Sequence, residues 1–449
     1  MIPLGDFKPS DFWQTHINSI FYGIKGPQIH NHFQTFVSLD YRLAHALANE
    51  FFVQVRQDRN KSQCVQEWGV GNGNLAACFL SHLREIDGDN EVYPFIHYIL
   101  CDESEEILRG VRANPRLLEH SGKFSTVRVD AEQMNCFRPH SIAKIISNEI
   151  WDDMATKVLL KHQGLFYEEY LCPFLETLPC EDFLKQFKNK DLKKLAELPN
   201  FLDTIHWERD FQRVNLDDWP FGRTLKTHAE EFKDEVPMPI NIGAFSAIEK
   251  ARELLNPNNS GYTSFDYGMK NISDLNQEGR PYFNLYGGQY TFMVNFPLLE
   301  NIGREIGFTK VNREYQSKFV EKDLKSAVIG VVDLVQNHPQ VVNMAPWDRD
   351  VLMLGTLHAL NTIYRSPYTG KLNYPAMEGT PKKQRKQIAQ LVKNLSGRGV
   401  PDTVAYVTRD EVLAAVKPLR KLGYREKDIM AAFQSPPPPV SFVHIRFDN

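Results

Sequence analysis

The sequence predicts an α/β protein built on a mostly parallel, doubly wound sheet of the Rossmann-like class. Three observations predict this fold. Short apolar segments typical of strands alternate with helical segments between residues 61 and 150, a glycine-rich turn follows the first strand, and polar residues follow each strand. At 449 residues, of which 42% are hydrophobic, the chain is long enough for two or three domains around a large core.

The glycine-rich turn follows the first predicted strand, within the segment 63–77. Gly69, Gly71 and Gly73 have no Cβ, which permits a tight turn and a close approach of the backbone to a ligand. Glu67 at the end of the strand argues against a phosphate site, because a carboxylate would repel phosphate. The Lys-Ser/Thr pair that follows the glycines of a P-loop is also missing. A carboxylate suits a cationic or hydroxyl-bearing ligand, such as the amino-acid end of S-adenosylmethionine. The alternative is a simple strand-to-helix loop.

Three further strands continue the alternation, and each ends in polar residues. They are 95–101, which precedes Asp102; 125–129, which precedes Asp130 and Ala131; and 143–147, which precedes Asn148 and Glu149. The carboxyl ends of the strands in such a sheet line one crevice, so we expect these polar groups to meet there. They could receive an amino acid, a ribose and an adenine in turn, although each could also be an ordinary loop acid.

The alternation of strands and helices breaks after residue 150, which indicates that the chain also contains segments of a different kind. We interpret residues 1–60 as a segment that covers the cofactor and substrate, 61–150 and 241–330 as the core, 151–240 as an inserted helical cap, and 331–449 as a helix-rich C-terminal region with a final edge strand.

Local patterns predict several elements outside the first four strands. Residues 1–37 show no regular pattern, and His30 and His32 lack a third partner for a metal, so no metal site is predicted. The predicted elements are a helix from Ser38 to Phe51, a helix over 242–255, a fifth strand over 261–265 that precedes Asp266 and Tyr267, more sheet over 290–299, a capping box at Thr408 and Glu411, and an alternating edge strand over 440–447.

Composition argues against several functional classes. Charged residues make up 24% of the chain and the formal net charge is −4, so neither nucleic-acid nor membrane-surface binding is predicted. No apolar run approaches the roughly 18 residues of a membrane span, and the first forty residues fit neither a signal nor a transit peptide. The six cysteines show no zinc or C-x-x-C spacing, which indicates reduced thiols. We therefore expect a soluble, cytoplasmic protein.

Four motifs follow one another along the chain: Glu67-Trp-Gly-Val-Gly-Asn-Gly-Asn-Leu-Ala, Ser147-Asn-Glu-Ile-Trp-Asp-Asp-Met, Phe265-Asp-Tyr-Gly, and Gly288-Gln followed by Val294-Asn-Phe. In content and order they resemble the MidA family of class I S-adenosylmethionine-dependent methyltransferases. This family includes a mitochondrial complex I assembly factor that methylates a protein arginine. The resemblance covers roughly residues 30 to 325.

The resemblance implies a role for each candidate residue. S-adenosylmethionine is the implied cofactor, with its methionine end on Glu67 and the glycines and its ribose on Asp102. The implied cofactor-binding residues are Glu67, Gly69, Gly71, Gly73, Asp102, Asp130, Ala131 and Asn148. The implied catalytic residues are Asn148, Glu149, Asp152 and Asp266, and the implied substrate-binding residues are Tyr267 and Gln289.

The chain departs from the family where the acceptor is expected to bind. Only Phe33-Gln-Thr35 resembles the family's Gly-Asp-Phe-x-Thr stretch, and the segment 289–296 lacks two acids and a histidine of the family element. The region after residue 330 has no counterpart that we can place. The acceptor therefore stays open between a nitrogen of a protein side chain, arginine-like, and a small metabolite.

Carboxylates and an amide suit a nitrogen acceptor, because they orient a guanidinium or amine through charge-assisted hydrogen bonds. We assign this role to Glu149 and Asp152, with Asn148 orienting the acceptor; a helix-capping role for either acid is the alternative. Three other functions stay open: methylation of an oxygen or carbon in a natural product, a dinucleotide-dependent oxidoreductase, and a non-catalytic binding protein. The glycine spacing does not match G-x-G-x-x-G, which argues against the oxidoreductase.

Overall fold

The computed structural model describes residues 1–25, 40–56, 63–257, 261–364, 366–368, 372, 374–377, 379–395 and 405–449. The candidates His30 and His32, the tract Phe33–Thr35 and the predicted helix start at Ser38 lie outside these residues.

The strands and α-helices of the described residues are as follows, in chain order. The strands are β1 (Ile2–Pro3), β2 (Lys8–Pro9), β3 (Cys64–Trp68), β4 (His97–Asp102), β5 (Phe124–Arg128), β6 (Lys144–Asn148), β7 (Lys157–His162), β8 (Leu165–Leu175), β9 (His206–Val214), β10 (Met238–Ile240), β11 (Gly261–Met269), β12 (Phe283–Tyr286), β13 (Gln289–Phe292), β14 (Val294–Asn295), β15 (Lys310–Tyr315), β16 (Val328–Gly330), β17 (Tyr406–Thr408) and β18 (Ser441–Asp448). The helices are α1 (Ser10–Lys25), α2 (Arg42–Arg56), α3 (Asn74–Ile86), α4 (Glu105–Arg112), α5 (Pro115–Leu118), α6 (Phe183–Lys188), α7 (Leu192–Leu195), α8 (Gly222–Glu230), α9 (Ile242–Leu254), α10 (Ile272–Leu275), α11 (Phe296–Ile306), α12 (Gln316–Leu324), α13 (Val331–Gln336), α14 (Pro346–Asn361), α15 (Lys382–Leu395), α16 (Arg409–Ala414), α17 (Val416–Lys421) and α18 (Glu426–Ala432).

A mostly parallel central sheet has the order β15-β18-β11-β6-β3-β4-β5, with β14 paired to β11. The strands from β5 to β11 run parallel, whereas β18 is antiparallel to both its neighbours. From β3 the chain continues to β4 and β5 on one side and then crosses to β6 on the other. The strand order therefore reverses between β3 and β6, and this is where such sheets bind ligands. The predicted Rossmann-like α/β fold is confirmed.

Helices cover both faces of this sheet and bury its apolar side chains. One core contains α2 and α3 against Val65, Tyr98 and Phe265. The other contains α9 and α11 against Trp68, Tyr262 and other side chains of the opposite face. Because the sheet is fixed on both faces, the carboxyl ends of β3, β4 and β6 are held in a constant arrangement.

The last strand corrects one prediction, because β18 is an interior strand. It pairs with β11 on one side and with β15 on the other. Its alternating pattern resembles an edge strand because the face that carries His444 and Arg446 is polar. These side chains are nevertheless covered: His444 stacks on Phe265, and Arg446 pairs with Glu50. An ion-paired interior face and a solvated edge give the same sequence pattern.

The insertion after β6 also differs from the expected helical cap. Its main element is an antiparallel sheet with the order β1-β8-β7-β10, to which β2 and β9 add through β8. The N-terminal segment belongs to this cap, since β1, β2 and α1 all pack on it. The charged strand β9 is mostly exposed, which explains why its sequence did not suggest a strand. The expected sheet over 290–299 ends at Asn295, where α11 begins.

A second insertion separates β15 from β18. The described part of residues 316–440 contains helices α12 to α18 and the short pair β16-β17. Helices α13 to α18 pack around a core of their own, whereas α12 packs in the same core as α2. Arg42 at the start of α2 joins it to the sheet by a two-pronged ion pair with Glu411, with distances of 2.6 and 2.9 Å. Among the described residues, no helix is both long and apolar enough to cross a membrane.

Candidate functional site

A cavity of about 1600 Å³ opens at the carboxyl ends of β3, β4 and β6. Both insertions contribute to its walls, the cap through α1 and Lys190 and the second insertion through Asp333, Pro437 and neighbouring residues. A single small ligand needs roughly 300–1,000 Å³. The cavity is therefore large enough for two molecules side by side, as a transfer reaction requires.

The three glycines of the turn all adopt left-handed backbone conformations, with φ of 73° at Gly69, 50° at Gly71 and 74° at Gly73. A Cβ on Gly69 would lie 2.3 Å from Cγ2 of Ile150. Gly69 and Gly71 line the cavity, whereas Gly73 precedes α3 and packs against Leu117. The first two glycines thus give backbone access to a ligand, and the third permits the start of the helix.

Glu67 lies on the cavity wall at the end of β3, with only 3% of its surface exposed. Burial raises the pKa of its carboxyl from 4.5 to about 8, and the nearby negative charge of Asp102 acts in the same direction. The hydroxyl of Tyr98 donates a 2.7 Å hydrogen bond to Oε2 and partly offsets this effect. A positively charged ligand group would stabilise the ionised form of Glu67.

Asp102 at the end of β4 accepts two backbone hydrogen bonds, from Val70 N–H at 3.2 Å and Ser104 N–H at 2.9 Å. Burial raises the pKa of this carboxyl to about 6. The two bonds fix the orientation of the carboxyl while each oxygen keeps acceptor capacity. Asp130 and Ala131 follow β5 and also line the cavity.

The loop after β6 begins with a strained turn at Glu149, where φ is 52°. Its N–H donates a 2.7 Å bond to the carbonyl of Phe265 on β11, which holds this conformation. The Nδ2 of Asn148 donates to Glu149 Oε1 at 3.0 Å. Asn148 Oδ1 is buried and has no hydrogen-bond partner among the described residues. This amide oxygen on the cavity wall is therefore available to a ligand N–H.

Asp152 faces the cavity with 5% of its surface exposed, and its Oδ1 has no hydrogen-bond partner in the described part of the chain. Burial raises the pKa of this carboxyl well above its usual range, and the negative charge of Asp266 adds to the effect. Tyr267, also on the wall, partly offsets this rise in the pKa of Asp152, and its hydroxyl shares a 3.0 Å hydrogen bond with Thr291 Oγ1. A carboxyl with a raised pKa is a stronger base than an ordinary aspartate.

Asp266 lies beneath this wall rather than on it. Its carboxyl is fully buried and accepts backbone N–H bonds from Trp151 at 2.9 Å, Asp152 at 3.3 Å and Tyr267 at 2.8 Å. These bonds hold the loop that follows Asn148 and carries Asp152. The structure thus brings the other predicted site residues except Gly73 to the cavity, whereas Asp266 is buried behind its wall.

Helix α1 supplies site residues that the sequence analysis missed. Thr15, Asn18, Ser19 and Tyr22 line the cavity, while the opposite face of the helix is buried in the cap. Their spacing along the helix is a polar stripe that could have revealed them. The predicted substrate residue Gln289 joins this wall, because its Nε2 donates to Tyr22 Oη at 2.8 Å.

The cavity is lined by many more acids than bases. Its acidic residues are Glu67, Asp102, Glu103, Asp130, Glu132, Glu149, Asp152, Asp153, Glu321 and Asp333, and its lysines are Lys190 and Lys318. In the described ranges, no group of three or more His, Cys, Asp or Glu side chains has an arrangement that would hold a metal. The lining therefore favours organic cations as ligands.

No protein-family model matches the chain, and no curated protein sequence matches it. A COG1565 superfamily member from Burkholderia thailandensis, crystallised with S-adenosyl-homocysteine, has a TM-score of 0.50 and 12% identity, over 99% of this chain and 88% of that chain. This similarity shows the shared fold. A second crystal structure of such a protein from the same organism has a TM-score of 0.48 and 14% identity over the same shares of the two chains. Phosphoethanolamine N-methyltransferase 2 of Haemonchus contortus, in complex with S-adenosyl-L-methionine, is less similar, with a TM-score of 0.32 and 10% identity over 98% of this chain and 58% of that chain.

Proposed function

We propose that the protein is an S-adenosylmethionine-dependent methyltransferase that acts on a nitrogen of a cationic or amine acceptor. The observation that carries the proposal is the acidic cavity at the point where the strand order reverses. Two buried oxygens there, Asn148 Oδ1 and Asp152 Oδ1, have no hydrogen-bond partner within the described ranges. The fold shared with a protein crystallised with S-adenosyl-homocysteine supports it.

The residues of the cavity fit this cofactor. Glu67 is a buried carboxylate suited to the ammonium of the methionine end, and Gly69 and Gly71 allow the backbone to approach it. Asp102 is held by backbone bonds and can accept from ribose hydroxyls, with Asp130 next along the wall. When bound, the cofactor supplies a methyl group on a positively charged sulfur.

The chain's own residues would orient the acceptor and remove its proton. Asn148 Oδ1 and Asp152 Oδ1 accept N–H bonds from the acceptor and fix the direction of its lone pair. Asp152, in the ionised form that a cationic acceptor stabilises, then takes the proton that leaves the nitrogen, and burial makes this carboxylate a stronger base than an exposed one. Asp266 keeps the loop in place, and the two insertions limit the access of water to the cavity.

The acidic lining favours nitrogen over an oxygen or carbon acceptor, because an amine or guanidinium is protonated in solution and is attracted to carboxylates. An arginine-like protein side chain and a small metabolite amine both satisfy this requirement. Methylation of a natural product at oxygen or carbon, and ligand binding without catalysis, are the competing functions.

Transfer of a tritiated methyl group from S-adenosylmethionine tests the proposal. The acceptors would be a set of small amines, an arginine-rich peptide and a phenol, with Asp152→Asn and the exposed Asp203→Asn as the matched control. We expect label on a nitrogen acceptor with the wild type and the control, and at least a hundredfold less with Asp152→Asn. Label on the phenol alone would contradict the nitrogen assignment, and full activity of Asp152→Asn would contradict its role as base.

A further inference from the structure

Tyr22, Asp153 and Gln289 form a hydrogen-bonded cluster on the cavity wall. The Tyr22 hydroxyl donates to Asp153 Oδ2. The Nε2 of Gln289 donates to Tyr22 Oη at 2.8 Å and to Asp153 Oδ1 at 2.5 Å. The three residues come from α1, from the loop after β6 and from the start of β13, so the cluster closes α1 onto the core.

A second tether holds α1 in the same place. Asn18, one turn before Tyr22, donates from Nδ2 to the carbonyl of Tyr290 at 2.9 Å and accepts from the N–H of Tyr290 at 2.9 Å. These two bonds fix the helix to β13 independently of the tyrosine. The Tyr22 hydroxyl is consequently held in one position on the wall, rather than on a mobile terminal helix.

The hydroxyl oxygen keeps one unused acceptor site. A tyrosine hydroxyl has one O–H and two lone pairs. Asp153 receives the O–H and Gln289 occupies one lone pair, so no described residue uses the other. Donation to a carboxylate makes the oxygen more electron-rich. The group is therefore a hydrogen-bond acceptor and not a proton donor.

The surroundings of Tyr22 are strongly negative. Burial raises the pKa of its hydroxyl well above 10.0, and the charges of Asp153, Asp152 and Asp102 act in the same direction. The hydroxyl thus stays neutral. It is close enough to feel the charges of both Asp102, at the proposed cofactor end of the cavity, and Asp152, at the proposed acceptor end. A cation is the ligand that such an oxygen favours.

We propose that the oxygen of Tyr22 contacts the positively charged centre at which the methyl group is transferred. This inference rests on the proposed function. In the transfer, the nitrogen lone pair forms the new N–C bond, the C–S bond breaks with its electron pair left on sulfur, and the nitrogen proton goes to Asp152. The positive charge moves from sulfur to nitrogen, and Tyr22 faces it throughout. Tyr22 therefore orients the reacting groups and discriminates charged from uncharged ligands at this point.

Two ligands that differ only at this point test the inference without an acceptor. Sinefungin carries an amine-bearing carbon in place of the methylated sulfur, so its ammonium stands where the methyl group would be, whereas S-adenosyl-homocysteine has an uncharged sulfur there. Calorimetric titration of both would be compared in the wild type, in Tyr22→Phe and in Tyr170→Phe, a control in the cap sheet. We expect Tyr22→Phe to bind sinefungin about tenfold or more weakly and S-adenosyl-homocysteine within about twofold of the wild type.

Asp153→Asn gives a second and independent variant, because it keeps the shape of the cluster and reduces the negative charge on the hydroxyl. It should lower the preference for sinefungin by a smaller factor than Tyr22→Phe. An equal loss for both ligands in Tyr22→Phe, or no loss for either, would overturn the inference. Failure of the wild type to bind S-adenosyl-homocysteine would instead overturn the proposed function.

Discussion

Replacing Glu67 with Gln gives opposite effects on ligand binding and on stability, and both follow from its burial. Gln has nearly the same shape and can still accept the bond from Tyr98. It has no charge, so it cannot form the ionic hydrogen bond that a carboxylate makes to an ammonium. Such a bond contributes about 1.5–3 kcal/mol, which corresponds to about 10- to 150-fold in Kd. At pH 8 the variant should therefore bind S-adenosyl-homocysteine more weakly by about this factor.

The pKa of Glu67 sets the pH dependence of this difference. The folded-state value of about 8 lies above the ordinary value of 4.5. Below pH 8 the carboxyl must first lose its proton before it holds the ammonium. The affinity of the wild type should rise about tenfold per pH unit between pH 6.5 and 7.5, and the affinity of Glu67→Gln should not show this rise.

Stability should change in the reverse direction. Because the folded-state pKa is raised, the carboxyl stabilises the fold most below pH 4.5, and this stabilisation is lost as the pH rises towards 8. At pH 7 the loss is about 3 kcal/mol, at 1.36 kcal/mol per unit over 2.5 units. Glu67→Gln avoids this loss, so the ligand-free variant should unfold at a higher temperature than the wild type at pH 7.

Differential scanning calorimetry at pH 5 and pH 7.5, with titrations at the same pH values, measures both effects. The exposed Glu181→Gln is the matched control and should resemble the wild type throughout. A variant that binds as tightly as the wild type at pH 8 would refute the assignment of Glu67 to the ammonium. A variant whose stability shows the same pH dependence as the wild type would refute the raised pKa.

Three further substitutions test parts of the account. Gly69→Ala should destabilise the protein by more than Gly122→Ala. Both glycines have positive φ, but of the two only Gly69 has a neighbour that a Cβ would meet, Cγ2 of Ile150 at 2.3 Å. Thermal unfolding of both variants measures the difference, and equal losses of stability would contradict the contact. Asp266→Asn leaves one of three backbone N–H groups without an acceptor and should lower the free energy of unfolding by about 1–3 kcal/mol. It should also weaken turnover of the acceptor more than binding of the cofactor. Unchanged turnover would argue against the positioning role of Asp266. Arg42→Met removes a buried ion-pair partner of Glu411 and should cost about 3–5 kcal/mol, with faster proteolysis within residues 316–440 than in the exposed control Arg349→Met.

The sequence analysis predicted the central sheet because its signals are local. Strands β3, β4 and β6 are short, largely apolar runs, and the polar residues at the ends of β3, β4 and β6 and after β5 meet at one crevice as expected. The capping box of Thr408 and Glu411 was predictable for the same reason, because both of its hydrogen bonds join residues that are three positions apart in sequence. Patterns that depend on neighbouring residues can be read without knowledge of the fold.

Contacts between distant parts of the chain could not be predicted in this way. Asn18 contacts Tyr290 and Tyr22 contacts Asp153, in both cases across more than a hundred residues of sequence. The polar stripe of α1 marks a polar face of this helix, but its sequence does not indicate which part of the chain that face meets. The interior position of β18 depends on the partners of its polar side chains, which are far away in sequence. The predicted cytoplasmic location and the roles of individual site residues stay predictions.

Calorimetric titration of the wild type and of Gly71→Val with S-adenosyl-homocysteine tests the central claim most directly. Val at this position cannot easily adopt the left-handed φ of 50° and would place a side chain on the cavity wall. The account predicts micromolar binding by the wild type, unchanged binding in the exposed control Gly122→Val, and no measurable binding in Gly71→Val. Absence of binding in the wild type, or equal affinities in the wild type and Gly71→Val, would contradict it.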